Sequence, residues 1–408
     1  MTVKKWVSLT IFGLVLVAIL GVLMRYKIAY SFPFINQKFL QHSHSHFAMS
    51  GWLTQLIMIL LASTVSRSIA LSHFKKYNFI LTVNLIASYG MLFSFLYQGY
   101  GAISIFFSTV SILVVYYFGV QLWQDMQKAP FLHSSYKWFK ASIIFAVLSS
   151  FGIAMLVYLM VTKNVDKNIQ QATTYFFLHF QYNGWLIFAC IGLLIDLLRQ
   201  KQIQIKNIDN FFWIYAAACV PAYLLSTLWL HLPLWLYIVV VISGLIILLG
   251  WLWFIAKLHK QVPLFLKQTS NLVKWLFGLS AIAFTIKVFL QAGSTIPSLN
   301  NIAFGYRPIV IGYLHLIFLG VITLFLFGYL VYTDHLKVTK SLTFGMIVFV
   351  VGIILNELAL MVQGLSGMMY YNVPFINEAL LAISLLMFFG ILILNIRKKQ
   401  PQSLETSD

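Results

Sequence analysis

Acidic residues are scarce in this chain. Its 408 residues include nine aspartates and glutamates against 27 lysines and arginines, and charged residues of both signs amount to 9%. A soluble domain carries roughly 25%, so a chain this long does not build a water-facing surface from so little charge. Cysteine is limited to Cys190 and Cys219, both inside apolar runs and far from any CxxC spacing. That leaves out iron–sulfur, zinc and dithiol motifs, and the lack of CxxCH leaves out a covalent c-type haem. No low-complexity linker, heptad run or internal sequence repeat is evident.

What is present is apolar: 61% of the residues. They fall into twelve runs near the ~20 residues that cross a bilayer, at 6–24, 43–64, 77–98, 102–123, 138–162, 173–198, 211–230, 233–256, 272–292, 308–332, 341–363 and 374–396. The expected fold class is all-α, a polytopic membrane bundle of twelve transmembrane helices. It forms a single domain over residues 1–400, with a polar, disordered tail at 401–408. The first run follows Lys4-Lys5, is long, and precedes no small-residue cleavage pattern. It reads as an anchor helix and not a signal peptide.

The charge distribution orients these spans. With the N-terminus inside, 20 of the 27 lysines and arginines lie in inner segments. Arg25, Lys27, Lys38, Lys163, Lys167 and Arg307 lie outside, and Lys287 falls within the ninth span. This is the positive-inside pattern. It predicts an integral membrane protein of a bacterial inner membrane with both termini cytoplasmic. The basic charge then needs no nucleic acid to explain it, and membrane lipid is the expected partner.

Ten histidines are present. His73, His133, His259 and His335 lie in or beside inner connections near lysines and read as solvated loop residues. The other six differ. His42, His44 and His46 open span two, His179 lies early in span six, His231 ends span seven, and His315 lies early in span ten. The orientation puts all six in the outer half. A polar side chain at that depth needs a partner or a task, and neutral imidazole is the commonest metal ligand. Four spans contributing at one level favour a haem or metal centre over separate structural histidines. On a helix, His42 and His46 share a face and His44 points roughly opposite, so the three do not all serve one iron. His44 is the preferred partner of His315, with His46 next.

Histidines on spans two, six, seven and ten of a twelve-span chain resemble the catalytic subunit of the haem–copper oxidases and nitric oxide reductases. The resemblance implies that a span-two histidine, His44 or a neighbour, and His315 clamp a non-covalent b-type haem. It implies that His179 and His231 bind a second metal, copper or iron. This chain has Tyr313 where that family has the ligand of a second haem, and His179-Phe-Gln-Tyr-Asn183-Gly184 where the reductases have His-x-x-x-Glu-Gly. Asn183 is then suited to hydrogen-bond a bound ligand, and Tyr313 either to ligate a ferric haem through phenolate or to donate a hydrogen bond. His44-Ser-His46-Phe-Ala-Met-Ser-Gly-Trp52 also resembles the His-x-His-x-x-x-x-Gly-aromatic segment of the NnrS family, haem and copper membrane proteins tied to nitric oxide stress. The function implied is electron transfer through a bis-histidine haem and binding or slow turnover of a diatomic, nitric oxide before oxygen. An electron donor (quinol or cytochrome c) and partner subunits are implied with it.

Arg307, just outside span ten, pairs with haem propionates in this reading, or serves as an interfacial anchor. Lys287, Glu357 and Glu378, charged residues in or bordering apolar runs, are functional candidates by default. Lys287 and Glu378 alternatively snorkel to the surface, Glu357 is expected to face an internal cavity, and Asp196 to be interfacial. The rival reading is a proton-coupled secondary transporter using histidine, Lys287 and Glu357. Against it, no matching Gly/Pro-broken helices occur in the two halves. A third reading is an assembly subunit without cofactor. No chain of buried carboxylates leads up from the inner face, so proton pumping is not expected.

Overall fold

The computed structural model describes residues 1–130, 133–230, 232–267, 269–299 and 306–395. His231 and the 401–408 tail lie outside the described residues. In chain order the long helices are α1 (Val3–Ala29), α2 (Gln37–Ile69), α3 (Phe74–Gln98), α4 (Ala102–Lys128), α5 (Ser134–Val161) and α6 (Lys167–Gln200). The shorter α7 (Ile208–Cys219) continues into a 3₁₀ turn, Pro221–Thr227. Then follow α8 (Leu234–His259), α9 (Asn271–Gly293), α10 (Arg307–Tyr332), α11 (Lys340–Met368) and α12 (Ile376–Asn395). Eleven are long and apolar enough to cross a membrane, and the bent pair at α7 makes twelve. No strand occurs among the described residues. The chain is an all-helical, polytopic integral membrane protein.

The seventh span is not the continuous helix the sequence suggested. It bends by 41° between Cys219 and Pro221. Proline has no N–H to give the helix and its ring clashes with the preceding turn. Two other spans begin earlier than their apolar runs. Asn36 caps α2, its Oδ1 accepting from the backbone N of Lys38 and Phe39 at 2.9 and 3.3 Å. Asp166 caps α6 in the same way, at 2.8 and 3.2 Å. His42, His44 and His46 therefore sit inside a helix, past its first turn, and not at its mouth.

Three helices form the centre. In their most apolar stretch α2 and α6 are each 89% buried and α10 is 56% buried, against 28–44% for the other eight long helices. The outer helices enclose them, and α1 packs on α12 to close the ring.

These three helices carry a repeat that the sequence reading missed. His46-Phe-Ala-Met-Ser-Gly51-Trp52-Leu53 matches His179-Phe-Gln-Tyr-Asn-Gly184-Trp185-Leu186, and His315-Leu-Ile-Phe-Leu-Gly320-Val321-Ile322 is a weaker third copy. Each copy is the second helix of a group of four. Each turns from α to π geometry at or just past its histidine, over Ala48–Thr54, Phe180–Leu186 and Leu316–Thr323. Such π segments occur frequently at functional sites. The glycine of the second copy permits a close helix approach, because a Cβ on Gly184 would collide with Phe145 of α5.

The copies lock to one another. Trp185 Nε1 donates to Thr54 Oγ1 at 3.3 Å, joining α6 to α2, and Trp52 Nε1 donates to Thr323 Oγ1 at 3.2 Å, joining α2 to α10. At the third junction the corresponding residues are Val321 and Ile187, and no such bond forms. At the other end of the bundle, Arg67 of α2 meets Asp196 of α6 at 3.9 Å and donates to Tyr329 of α10 at 3.4 Å. Asp196 is thus 1% exposed and paired, with Arg199 Nη2 also 2.9 Å away. A buried carboxylate in hydrocarbon is tolerable only with such partners.

Candidate functional site

Helical periodicity separates the α2 histidines as expected. His42 and His46 turn toward the α3–α4 corner. His46 stacks on Phe95 with ring centroids 4.3 Å apart, and its Nε2 is 3.0 Å from the Tyr100 hydroxyl. His42 lies edge-on to Tyr100 at 4.6 Å. His44 faces the other way, toward α1 and α10. Its Nδ1–H donates to the Val17 carbonyl of α1 at 3.1 Å, and the ring interacts electrostatically with His315.

His315 repeats this geometry on α10. Its Nδ1–H donates to the Ile311 carbonyl one turn earlier, at 2.8 Å. In both rings a carbonyl fixes the proton on Nδ1 and so leaves the Nε2 lone pair for a metal, as a second-shell acceptor does in metal sites. Both rings are only partly buried.

Two arginines border this pair. Arg25 of α1 interacts with both His44 and His315, and also with Arg307 at the start of α10. Arg307 Nη2 donates to Gln41 Oε1 of α2 at 2.8 Å. Neither arginine has a carboxylate partner among the described residues. Two neighbouring guanidinium groups repel each other unless an anion lies between them. Arg25 was missed from the sequence, where it reads as one more outer-loop cation.

The second cluster is built differently. His179 is buried with both ring nitrogens engaged. Nε2–H donates to the Cys219 carbonyl at 2.9 Å, and Nδ1 accepts from the Asn183 amide at 3.0 Å. Asn183 Oδ1 accepts from Lys287 Nζ at 2.6 Å, and Lys287 also donates to Gln291 Oε1 at 2.5 Å. Lys287 is 1% exposed and does not snorkel. A ring with no spare lone pair beside an inward-facing lysine does not fit a metal cation. Among the described residues no group of three or more His, Cys, Asp or Glu side chains is placed to hold a metal.

Tyr313 turns from α10 toward α6, where its ring lies edge-on to that of Tyr182 with centroids 6.4 Å apart. Glu357 is half-buried on α11. Its Oε1 accepts from Asn356 at 3.2 Å, and it lies against Gly312, one turn before His315.

No protein-family model matches the chain, and no curated protein matches it either.

Proposed function

We propose that the protein is an integral membrane haem protein that carries electrons through one non-covalent b-type haem held by His44 and His315. The observation that carries this reading is the shared geometry of those two imidazoles. Each gives its Nδ1 proton to a main-chain carbonyl, each keeps Nε2 uncommitted, and the two lie within electrostatic reach of each other. The unpaired Arg25 and Arg307 suit the two propionates, with Gln41 orienting Arg307. The haem supplies the one-electron chemistry. The protein holds its ligands in one tautomer, balances its negative charge and keeps it within apolar helices. A haem held by both histidines would serve electron transfer and not gas binding. The hydrogen-bonded His179 and its lysine neighbour favour electron transfer over gas reduction at two metals. A quinol or cytochrome c as donor belongs to the same proposal.

One observation favours a second reading, a proton-coupled transporter. Lys287 is an ionisable group enclosed within the spans, hydrogen-bonded to the amide oxygens of Asn183 and Gln291 and lying over the Phe284 ring. A reduced-minus-oxidised absorption spectrum of the purified protein separates the two. A sharp alpha band with about one haem per chain supports the haem carrier, and a featureless spectrum supports the transporter.

A further inference from the structure

The missing third lock leaves a cavity. Where Trp and Thr join α6 to α2 and α2 to α10, the α6–α10 junction has Ile187 and Val321, and both line a cavity of about 590 Å³. Its walls come from α6, α8, α9 and α10. Trp251, Phe254, Phe277, Phe284 and Phe325 are prominent in its otherwise apolar surface. It runs from Trp251 and Phe284, within the spans, to His259, Lys267 and Lys274 at the α8–α9 connection. The sequence has no aspartate or glutamate anywhere from 210 to 333, and neither Lys267 nor Lys274 has an ion-pair partner among the described residues. Gly278 of α9 borders the same space, and a Cβ there would touch nothing within 4 Å.

We propose that this cavity binds an acyl chain of an anionic phospholipid, whose phosphate rests on Lys267, Lys274 and His259. The argument is chemical complementarity along one axis. An apolar slot at bilayer depth matches a hydrocarbon chain, and it opens where uncompensated cations sit at the level of lipid headgroups. Basic clusters at the membrane surface attract anionic lipid in this way. The site is separate from the histidine pair and does not depend on a haem.

The test is native mass spectrometry of the intact protein in detergent, titrated with phosphatidylglycerol, with phosphatidylcholine of the same chains, and with oleate. The expected result is one retained phosphatidylglycerol per chain, bound about tenfold more tightly than phosphatidylcholine. The surface double variant Lys267→Gln/Lys274→Gln removes that preference. Gly278→Phe fills the slot and abolishes retention, whereas Gly278→Ala keeps it. Equal retention of the two phospholipids overturns the headgroup assignment, and preferential retention of oleate overturns the phospholipid. Undiminished retention by a monodisperse Gly278→Phe protein overturns the cavity as the site.

Discussion

Lys287 Nζ lies 2.6 Å from Asn183 Oδ1, a bond between helices α9 and α6 that spans 104 residues of sequence inside the bundle. It turns a lysine that would otherwise reach for water into part of a polar chain ending at the Cys219 carbonyl. Removing the lysine leaves amide oxygens of Asn183 and Gln291 without their donor. Lys287→Leu should therefore destabilise the protein by about 1–3 kcal/mol, since an orphaned buried acceptor bears its desolvation cost. Lys287→Leu/Gln291→Leu should lose less than the two single variants together. Thermal unfolding in detergent, followed by size exclusion, measures both, and strict additivity would contradict the coupling.

The tryptophan locks should each contribute modestly. Trp185→Phe and Trp52→Phe remove one side-chain hydrogen bond apiece while keeping most of the aromatic volume. A loss of about 0.5–1.5 kcal/mol each is expected, in the range measured for interhelical hydrogen bonds in membranes. Substituting Trp213, a residue that is 64% exposed, by Phe should change the same unfolding midpoint much less.

His335, in the α10–α11 connection, offers a pH test. Burial and the nearby cations Arg67 and Lys4 lower its pKa from the usual 6.5. A histidine whose pKa is lower in the folded state favours the unfolded chain as pH falls, because the unfolded chain takes up the proton first. Stability should therefore decline as pH drops below about 6.5, and His335→Gln should flatten that decline. An identical pH dependence in the variant would count against it.

Topology is open to a direct test. The α5–α6 connection carries Lys163 and the α6–α7 connection carries Lys201, at opposite ends of α6. Reporter fusions at these residues should land on opposite sides of the membrane, with Lys201 cytoplasmic by the positive-inside pattern. The same side for both would break the assignment of α6 as a crossing.

The spans were legible because apolar length is a one-dimensional property, and the facing of His44 away from His42 and His46 followed from helical period alone. What escaped depended on partners far away in sequence. Arg25 looks like a boundary cation until α1 brings it beside His44 and His315. Lys287 looks free to snorkel until Asn183 and Gln291 enclose it. Asp196 looks unpartnered until Arg67 reaches it from another central helix. The early start of α2 was readable in Asn36, a good N-cap ahead of the apolar run. The repeat was also within reach, since His46-Phe and Gly51-Trp-Leu recur as His179-Phe and Gly184-Trp-Leu. Its third copy keeps only the histidine and glycine, which hides it from inspection by eye.

The most direct test of the central proposal compares single histidine variants by reduced-minus-oxidised absorption and low-temperature electron paramagnetic resonance. His44→Ala and His315→Ala should each abolish the low-spin haem signal. His46→Ala, whose ring is held by Phe95 and Tyr100 on the opposite face, should retain it. A low-spin spectrum unchanged in either His44→Ala or His315→Ala would contradict the account.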